Sequence, residues 1–237
     1  TSSSEVAIIN AGLFPEQTGK VTEFVFRDIS TNENRIVTLT SQNIESQPVM
    51  NVRTDLANGD VGYFQFNSHN AIAETQLYNA FNQLAASSIK DLVIDVRYNG
   101  GGLIRYANQI STQTAGSNVL GKTFLQYRFN EQNSDQNQTL PFSLVDGVEQ
   151  LDLDRVFVLT TGSSCSSSEI IINSLSPHIE VVTIGEQTCG KPVGQQPAEL
   201  CDKVTFAINF ETVNSEGEGK YYNGLAPTCS VEDQLVA

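Results

Sequence analysis

The sequence predicts an α/β protein with a central, largely parallel sheet, preceded by a β-rich N-terminal segment. Three observations point there. Residues 60–115 read strand, helix, strand, helix, the pattern of a βαβ unit. Two later apolar runs, RVFVLTT and VVTIGE, read as further buried strands. Glycine-containing turns follow these runs, and in an open α/β sheet such turns converge on one crevice at the carboxyl ends of the strands.

Taken in order, residues 1–20 carry little pattern and end in turn-forming residues. VTEFVFRD alternates apolar and polar side chains, TNEN is a turn and RIVTLT alternates again, so a β-hairpin is expected. SQNIESQPVMNV reads as a connection. DVGYFQFN, after the Asn58-Gly59 turn signal, is a strand. In AETQLYNAFNQLAAS, Leu77, Phe81 and Leu84 share one helical face. IKDLVIDVRY carries the short apolar run Leu92, Val93, Ile94 and Val96, and LIRYANQISTQTA reads as helix beyond a glycine cluster. KTFLQYRF is a strand, and the polar EQNSDQNQTLP is expected to be a mobile loop. SSCSSSEIIINSLS reads as a loop entering a helix. VTFAINFETVN and GKYYNG read as a closing hairpin. The domain boundary is placed between an N-terminal β-rich segment, 1–45, and a core, 46–237.

The 237 residues carry 27 acidic and 13 basic side chains, a formal charge of −14. No basic face is available for a nucleic-acid backbone or an anionic membrane surface. No apolar run approaches the ~20 residues that span a bilayer. At 39% hydrophobic and 17% charged, the composition is globular. Four cysteines, Cys165, Cys189, Cys201 and Cys229, allow three disulfide connectivities, with small buried thiols as the alternative. Their spacing fits no zinc-binding pair, and no metal or cofactor site is read.

Two residue types could carry chemistry in the glycine turns. Ser166-Ser167-Ser168-Glu169 sits where a strand hands over to a helix. Its S-x-x-E pattern is by itself that of a helix capping box. A serine becomes a nucleophile only when a base takes its proton. His69 reads as a surface residue and His178 as a cation at a helix C-terminus. Lys191 is the lysine within the glycine-rich loops. Local pattern alone makes it an exposed loop residue, and a lysine serves as a base only when its surroundings favour the neutral amine.

Together these segments resemble the carboxy-terminal processing peptidases, also called tail-specific proteases. IDVRYNGGGLI resembles that family's glycine-rich strand-turn, SSCSSSEI its nucleophile segment and IGEQTCGKPVGQ its lysine loop. Lys191 follows Ser166 by 25 residues, the family's interval. The resemblance runs from about residue 60 to 227, ending in YNGLAPT. It implies a crotonase/ClpP-like βα core. It also implies a serine endopeptidase that cleaves proteins near their C-termini through an acyl-enzyme, without a cofactor. Ser166 would be the nucleophile, Lys191 the base and Gln195 the residue that orients it. Ser167 and Gly101 or Gly102 would supply the oxyanion hole. Substrates would be proteins or peptides with apolar C-termini. Some members carry an aspartate eleven residues after the serine, where Pro177 stands here. Members also carry a PDZ-like domain, and 1–45 resembles only the last strands of one.

If Ser166 and Lys191 meet, Cys165 and Cys189 are neighbours too. The resemblance then implies a Cys165–Cys189 bridge and leaves Cys201–Cys229 as a second. Disulfides imply a periplasmic or extracellular location, with a membrane anchor in a preceding segment compatible with it. An inert peptide- or ligand-binding module on the same scaffold is the main alternative. A crotonase-like acyl-CoA enzyme is disfavoured by the lysine spacing and the want of a basic phosphate-binding patch.

Overall fold

A computed structural model describes residues 3–233; residues 1–2 and 234–237 lie outside it. The chain forms two compact units that meet in sequence between Ser46 and Gln47.

The first unit holds a helix, α1 (Ser3–Leu13), and an antiparallel hairpin of β1 (Val21–Arg27) and β2 (Asn34–Thr40). The hairpin is where the alternation predicted it. The helix was not predicted, because its apolar residues follow no one-sided stripe: Ile8, Ile9 and Leu13 are all exposed. Lys20 Nζ donates to the Ala11 carbonyl at 3.0 Å, tying the hairpin's entry to the helix end.

The second unit begins with β3 (Val49–Leu56), which pairs antiparallel with β4 (Val61–Phe66). The sequence predicts a connection over the first part of β3. The strand is irregular, with register shifts after Met50 and after Arg53 and a positive φ at Asn51, so its side chains do not alternate cleanly. The βαβ unit follows as α2 (Ala73–Ala85), β5 (Asp91–Asp95) and α3 (Ile104–Ala115). Next come β6 (Thr123–Phe129) and β7 (Gln138–Pro141). The polar stretch predicted to be a loop forms a short 3-10 turn, Glu131–Gln136, and the strand β7.

Then follow β8 (Arg155–Thr160), α4 (Ser167–Leu175) and β9 (Glu180–Gly185). The remainder is β10 (Val193–Gln195), β11 (Ala198–Leu200), β12 (Lys203–Thr205), β13 (Ile208–Val213) and β14 (Cys229–Ser230). The predicted closing hairpin is rearranged. GKYYNG is not a strand, and β13 pairs back with β10 and with β6.

The central sheet has six strands in the order β14-β9-β8-β5-β4-β3, parallel except for β3. A second sheet, β10-β13-β6-β7, is antiparallel. Phe64, Phe66, Phe81, Leu92, Ile94 and Ile110 form the centre of the core, each with no exposed surface. Burying such a side chain contributes about 1.5–3 kcal/mol. Because β5, β8 and β9 run parallel, the segments that follow them leave the sheet at one edge. These are Asn99–Gly102, Gly162–Ser166 and Glu186–Lys191.

Candidate active site

Ser166 stands at the N-cap of α4 with φ 56° and ψ −115°, in the left-handed region that a serine rarely adopts. Its surroundings hold it there. Ser164 Oγ donates to the Val96 carbonyl at 2.8 Å, tying the loop to the strand before the glycine turn. The Asn99 carbonyl accepts from Cys165 N at 3.1 Å and from Ser168 Oγ at 2.9 Å. Ser167 Oγ donates to the Gly102 carbonyl at 2.7 Å.

The glycine turn closes against this segment. A Cβ at Gly101 would lie 2.8 Å from Ser166 Cβ and 2.9 Å from Ser167 N, with φ already at +93°. Only glycine fits there. Asn99 sets the turn from within. Its Oδ1 accepts from Gly101 N at 3.0 Å and faces His69 Nδ1 at 3.1 Å, while its Nδ2 donates to the Phe66 carbonyl at 2.9 Å. The sequence left Gly101 and Gly102 as alternative oxyanion donors. The Gly101 N–H is committed to Asn99, whereas those of Gly102 and Ser167 have no protein acceptor among the described residues.

His69 is not the surface residue predicted. It is 1% exposed, stacked edgewise on Phe66 at 4.6 Å, and bridges in parallel to Gly102. The oriented Asn99 amide places the proton on Nδ1 and leaves Nε2 buried without a partner. Burial lowers its pKa to about 4 against the opposing Asn99 bond. Burial also lowers the pKa of His178, whose Nε2 lies 3.3 Å from Ser215 Oγ.

Lys191 enters through a loop that one carboxylate organises. Glu169 is fully buried. Its Oε1 accepts from Thr188 Oγ1 at 2.6 Å and Gly190 N at 2.8 Å. Its Oε2 accepts from Ser166 N and Lys191 N, each at 2.8 Å. One oxygen thus binds the backbone of both predicted catalytic residues and holds their amide nitrogens within twice that distance. Four donors offset the desolvation of the charge. Only its return to Ser166 N was legible as a capping box; its grip on the lysine loop was not. Gly190, φ +86°, presses the loop against Tyr222 and Gly224, where a Cβ would meet backbone at 2.4 and 2.6 Å.

Cys165 and Cys189 form a disulfide, with Cα atoms 5.2 Å apart, that joins the serine segment to the lysine loop. The other two cysteines do not pair as anticipated. Cys201 lies in the β11–β12 turn and Cys229 at the start of β14, both exposed and unbonded. The grouping of Cys165, Glu169 and Cys189 has metal-like proximity but not the donors for an ion: both sulfurs are oxidised, and the carboxylate is saturated by N–H and O–H groups.

Ser166, Lys191, Gln195, Gly101 and Gly102 all line one cleft of about 730 Å³ between the central sheet and the antiparallel one. Tyr127, Leu140, Ile170, Val193, Phe206 and Phe210 form an apolar part of its wall, beside the polar Gln138, Gln196 and Thr212. Gln195 sits exposed on the rim, and among the described residues it makes no bond to Lys191. Nor are Ser166 Oγ and Lys191 Nζ hydrogen-bonded; such contacts commonly tighten only around substrate.

Comparison with known proteins agrees with this architecture. The family model for Peptidase family S41 matches residues 60–231. A carboxyl-terminal-processing protease of Picosynechococcus sp. is 29% identical over 191 residues, covering 80% of this chain and 43% of its own. The carboxy-terminal processing protease CtpA of Bacillus subtilis is 24% identical over 186 residues, covering 78% and 38%. The chain therefore spans less than half the length of these relatives. Among solved structures, a candidate S41 protease from Bacteroides fragilis superposes with a TM-score of 0.76 at 24% identity, covering 91% of this chain and 60% of that one. A photosystem II D1 C-terminal processing protease gives 0.64 at 19%, covering 91% and 56%. These two likenesses establish the fold.

Proposed function

The chain belongs to peptidase family S41, and on that premise we propose that it is a serine endopeptidase that cleaves proteins near their C-termini with Ser166 and Lys191. The observation that carries this reading is the shared carboxylate oxygen: Glu169 Oε2 binds the N–H of both residues beside a glycine turn packed on Ser166.

Ser166 Oγ attacks the scissile carbonyl while Lys191 Nζ takes its proton. The oxygen that becomes negative is bound by the Gly102 and Ser167 N–H groups, a contribution whose removal typically costs about 100- to 1000-fold. Collapse expels the amine, protonated by Lys191, and leaves an acyl-Ser166 ester. Water activated by the neutral lysine then releases the acid. Gln195, at the end of β10 on the same cleft, is the residue we assign to orient the lysine. The apolar part of the wall, Leu140, Ile170, Val193, Phe206 and Phe210, suits apolar substrate ends. The disulfide favours a periplasmic or extracellular setting. The N-terminal hairpin, β1 and β2, is consistent with the last strands of a PDZ-like domain.

The second reading, an inert binding module, draws on the unmade Ser166–Lys191 bond and on Pro177. A cleavage assay with unstructured proteins bearing apolar C-termini separates the two. Wild type cleaves, also in the presence of a chelator, while Ser166→Ala and Lys191→Ala each lose at least ~1000-fold without unfolding. Near-normal turnover by Lys191→Ala would sink the dyad.

A further inference from the structure

The cleft departs from the charge of the molecule around it. The chain carries 27 acidic residues, yet none lines the cleft, whose two charged residues are the cations Lys191 and Arg105. Lys191 has a role in the proposed chemistry. Arg105 has none, and no motif singled it out.

Arg105 lies in the first turn of α3, three residues beyond Gly102, and is held in place on its inner side. Its guanidinium lies over the Tyr106 ring, 4.8 Å from the centroid, and Nη2 donates to Tyr106 Oη at 2.8 Å. Tyr106 is itself 1% exposed, and its hydroxyl donates to the Ala71 carbonyl at 3.3 Å. The head group is thus anchored through one donor, while the residue itself is exposed on the cleft. A planar guanidinium fixed in this way matches a carboxylate and loses little freedom in binding one.

We infer that Arg105 binds the C-terminal carboxylate of the peptide in the cleft and so sets how near the chain end cleavage occurs. The inference rests on the peptidase reading for its consequence but not for its binding. A cleft free of carboxylates repels no anion, and a few residues between its cations and the scissile bond would register the cut against the terminus. An Asp or Glu side chain offers the same chemistry, so the test distinguishes the two sources.

The test uses matched heptapeptides with apolar ends, as free acids, as C-terminal amides, and as amides carrying an Asp near the end. Cleavage is followed in wild type, Arg105→Gln and Arg105→Lys. Binding is followed by fluorescence anisotropy in Ser166→Ala and in Ser166→Ala/Arg105→Gln. The free acid is preferred over the amide about 10- to 100-fold in kcat/KM, the usual weight of a charge-assisted hydrogen bond. Arg105→Gln brings that ratio close to one by raising KM for the acid alone, and Arg105→Lys keeps part of it. A merely structural role would weaken acid and amide together.

If wild type cleaves nothing but Ser166→Ala still binds acid over amide in an Arg105-dependent way, the peptidase reading falls and the carboxylate site stands. Equal handling of acid and amide, or a preference that follows the internal Asp instead of the terminus, overturns the inference.

Discussion

The serine segment and the lysine loop are held by different means. Ser166 sits at a sheet-to-helix junction pinned by several independent buried bonds: Ser164 to Val96, Cys165 and Ser168 to Asn99, and Ser167 to Gly102. The lysine loop continues from β9, one strand in from the edge of the sheet. Backbone bonds hold its first part, Thr188 N to the Leu225 carbonyl at 3.1 Å and Cys189 N to the Ser164 carbonyl at 3.0 Å, and the Cys165–Cys189 bridge adds to them. The N–H groups of Gly190 and Lys191 are gathered by the Glu169 carboxylate. The serine side has several separate ties, whereas the N–H groups of Gly190 and Lys191 depend on one carboxylate, so single changes are tolerated around Ser166 and felt around Lys191.

The sharpest break comes at Glu169. Glu169→Gln replaces two acceptor oxygens with one and points an amide NH2 at backbone N–H groups. Ser166 keeps its other ties, but the Lys191 N–H loses its acceptor, and a displacement of about 1 Å in the proposed base costs ~100-fold in kcat/KM. Urea denaturation reads a loss of about 3 kcal/mol. Activity within tenfold of wild type would show that the lysine loop has another support.

Next comes the bridge. Cys165→Ser/Cys189→Ser opens a loop with a sequence separation of 24 residues, worth about 3 kcal/mol in chain entropy. Turnover falls about tenfold, because Glu169 still holds the loop. Equal activity with and without dithiothreitol in wild type would mean that the carboxylate suffices alone.

A pH series tests the glycine turn. His69 titrates at about 4 in the folded chain against 6.5 unfolded. Between those values the unfolded chain binds more protons, so stability is complete above pH 6.5 and is lost as pH falls toward 4. The loss is at most about 3 kcal/mol. His69→Asn flattens that part of a urea-midpoint curve; an unchanged slope would place the acid sensitivity elsewhere.

The smallest effect belongs to Ser168→Ala. The Asn99 carbonyl keeps Cys165 N as a partner, so the cost is about 1 kcal/mol, with kcat/KM within threefold in the same cleavage assay. A larger loss would show that the serine side is not redundant.

What was legible in the sequence follows the same division. Gly100–Gly102, Ser166 and Lys191 stood out because each lies in a short contiguous motif after a strand, and their order and interval matched a known family. The parallel core was legible through uninterrupted apolar runs such as that at Leu92–Ile94. Glu169 was visible only through its local bond to Ser166, since its other partners come from a loop about twenty residues away. The burial of His69 was hidden for the same reason, because it depends on a bridge to Gly102. β3 escaped because bulges break its alternation, and α1 because its apolar residues mark no single face. Arg105 carries no motif; it gains meaning only when the cleft's other walls prove empty of carboxylates.

The most direct measurement traps the intermediate. Wild type is quenched in acid during turnover of a slowly deacylating ester substrate, and the acyl adduct is mapped by peptide mass. The account predicts one adduct, on Ser166, absent in Ser166→Ala and forming at least ~1000-fold more slowly in Lys191→Ala. An adduct on another residue, or turnover that persists in Ser166→Ala, would contradict it.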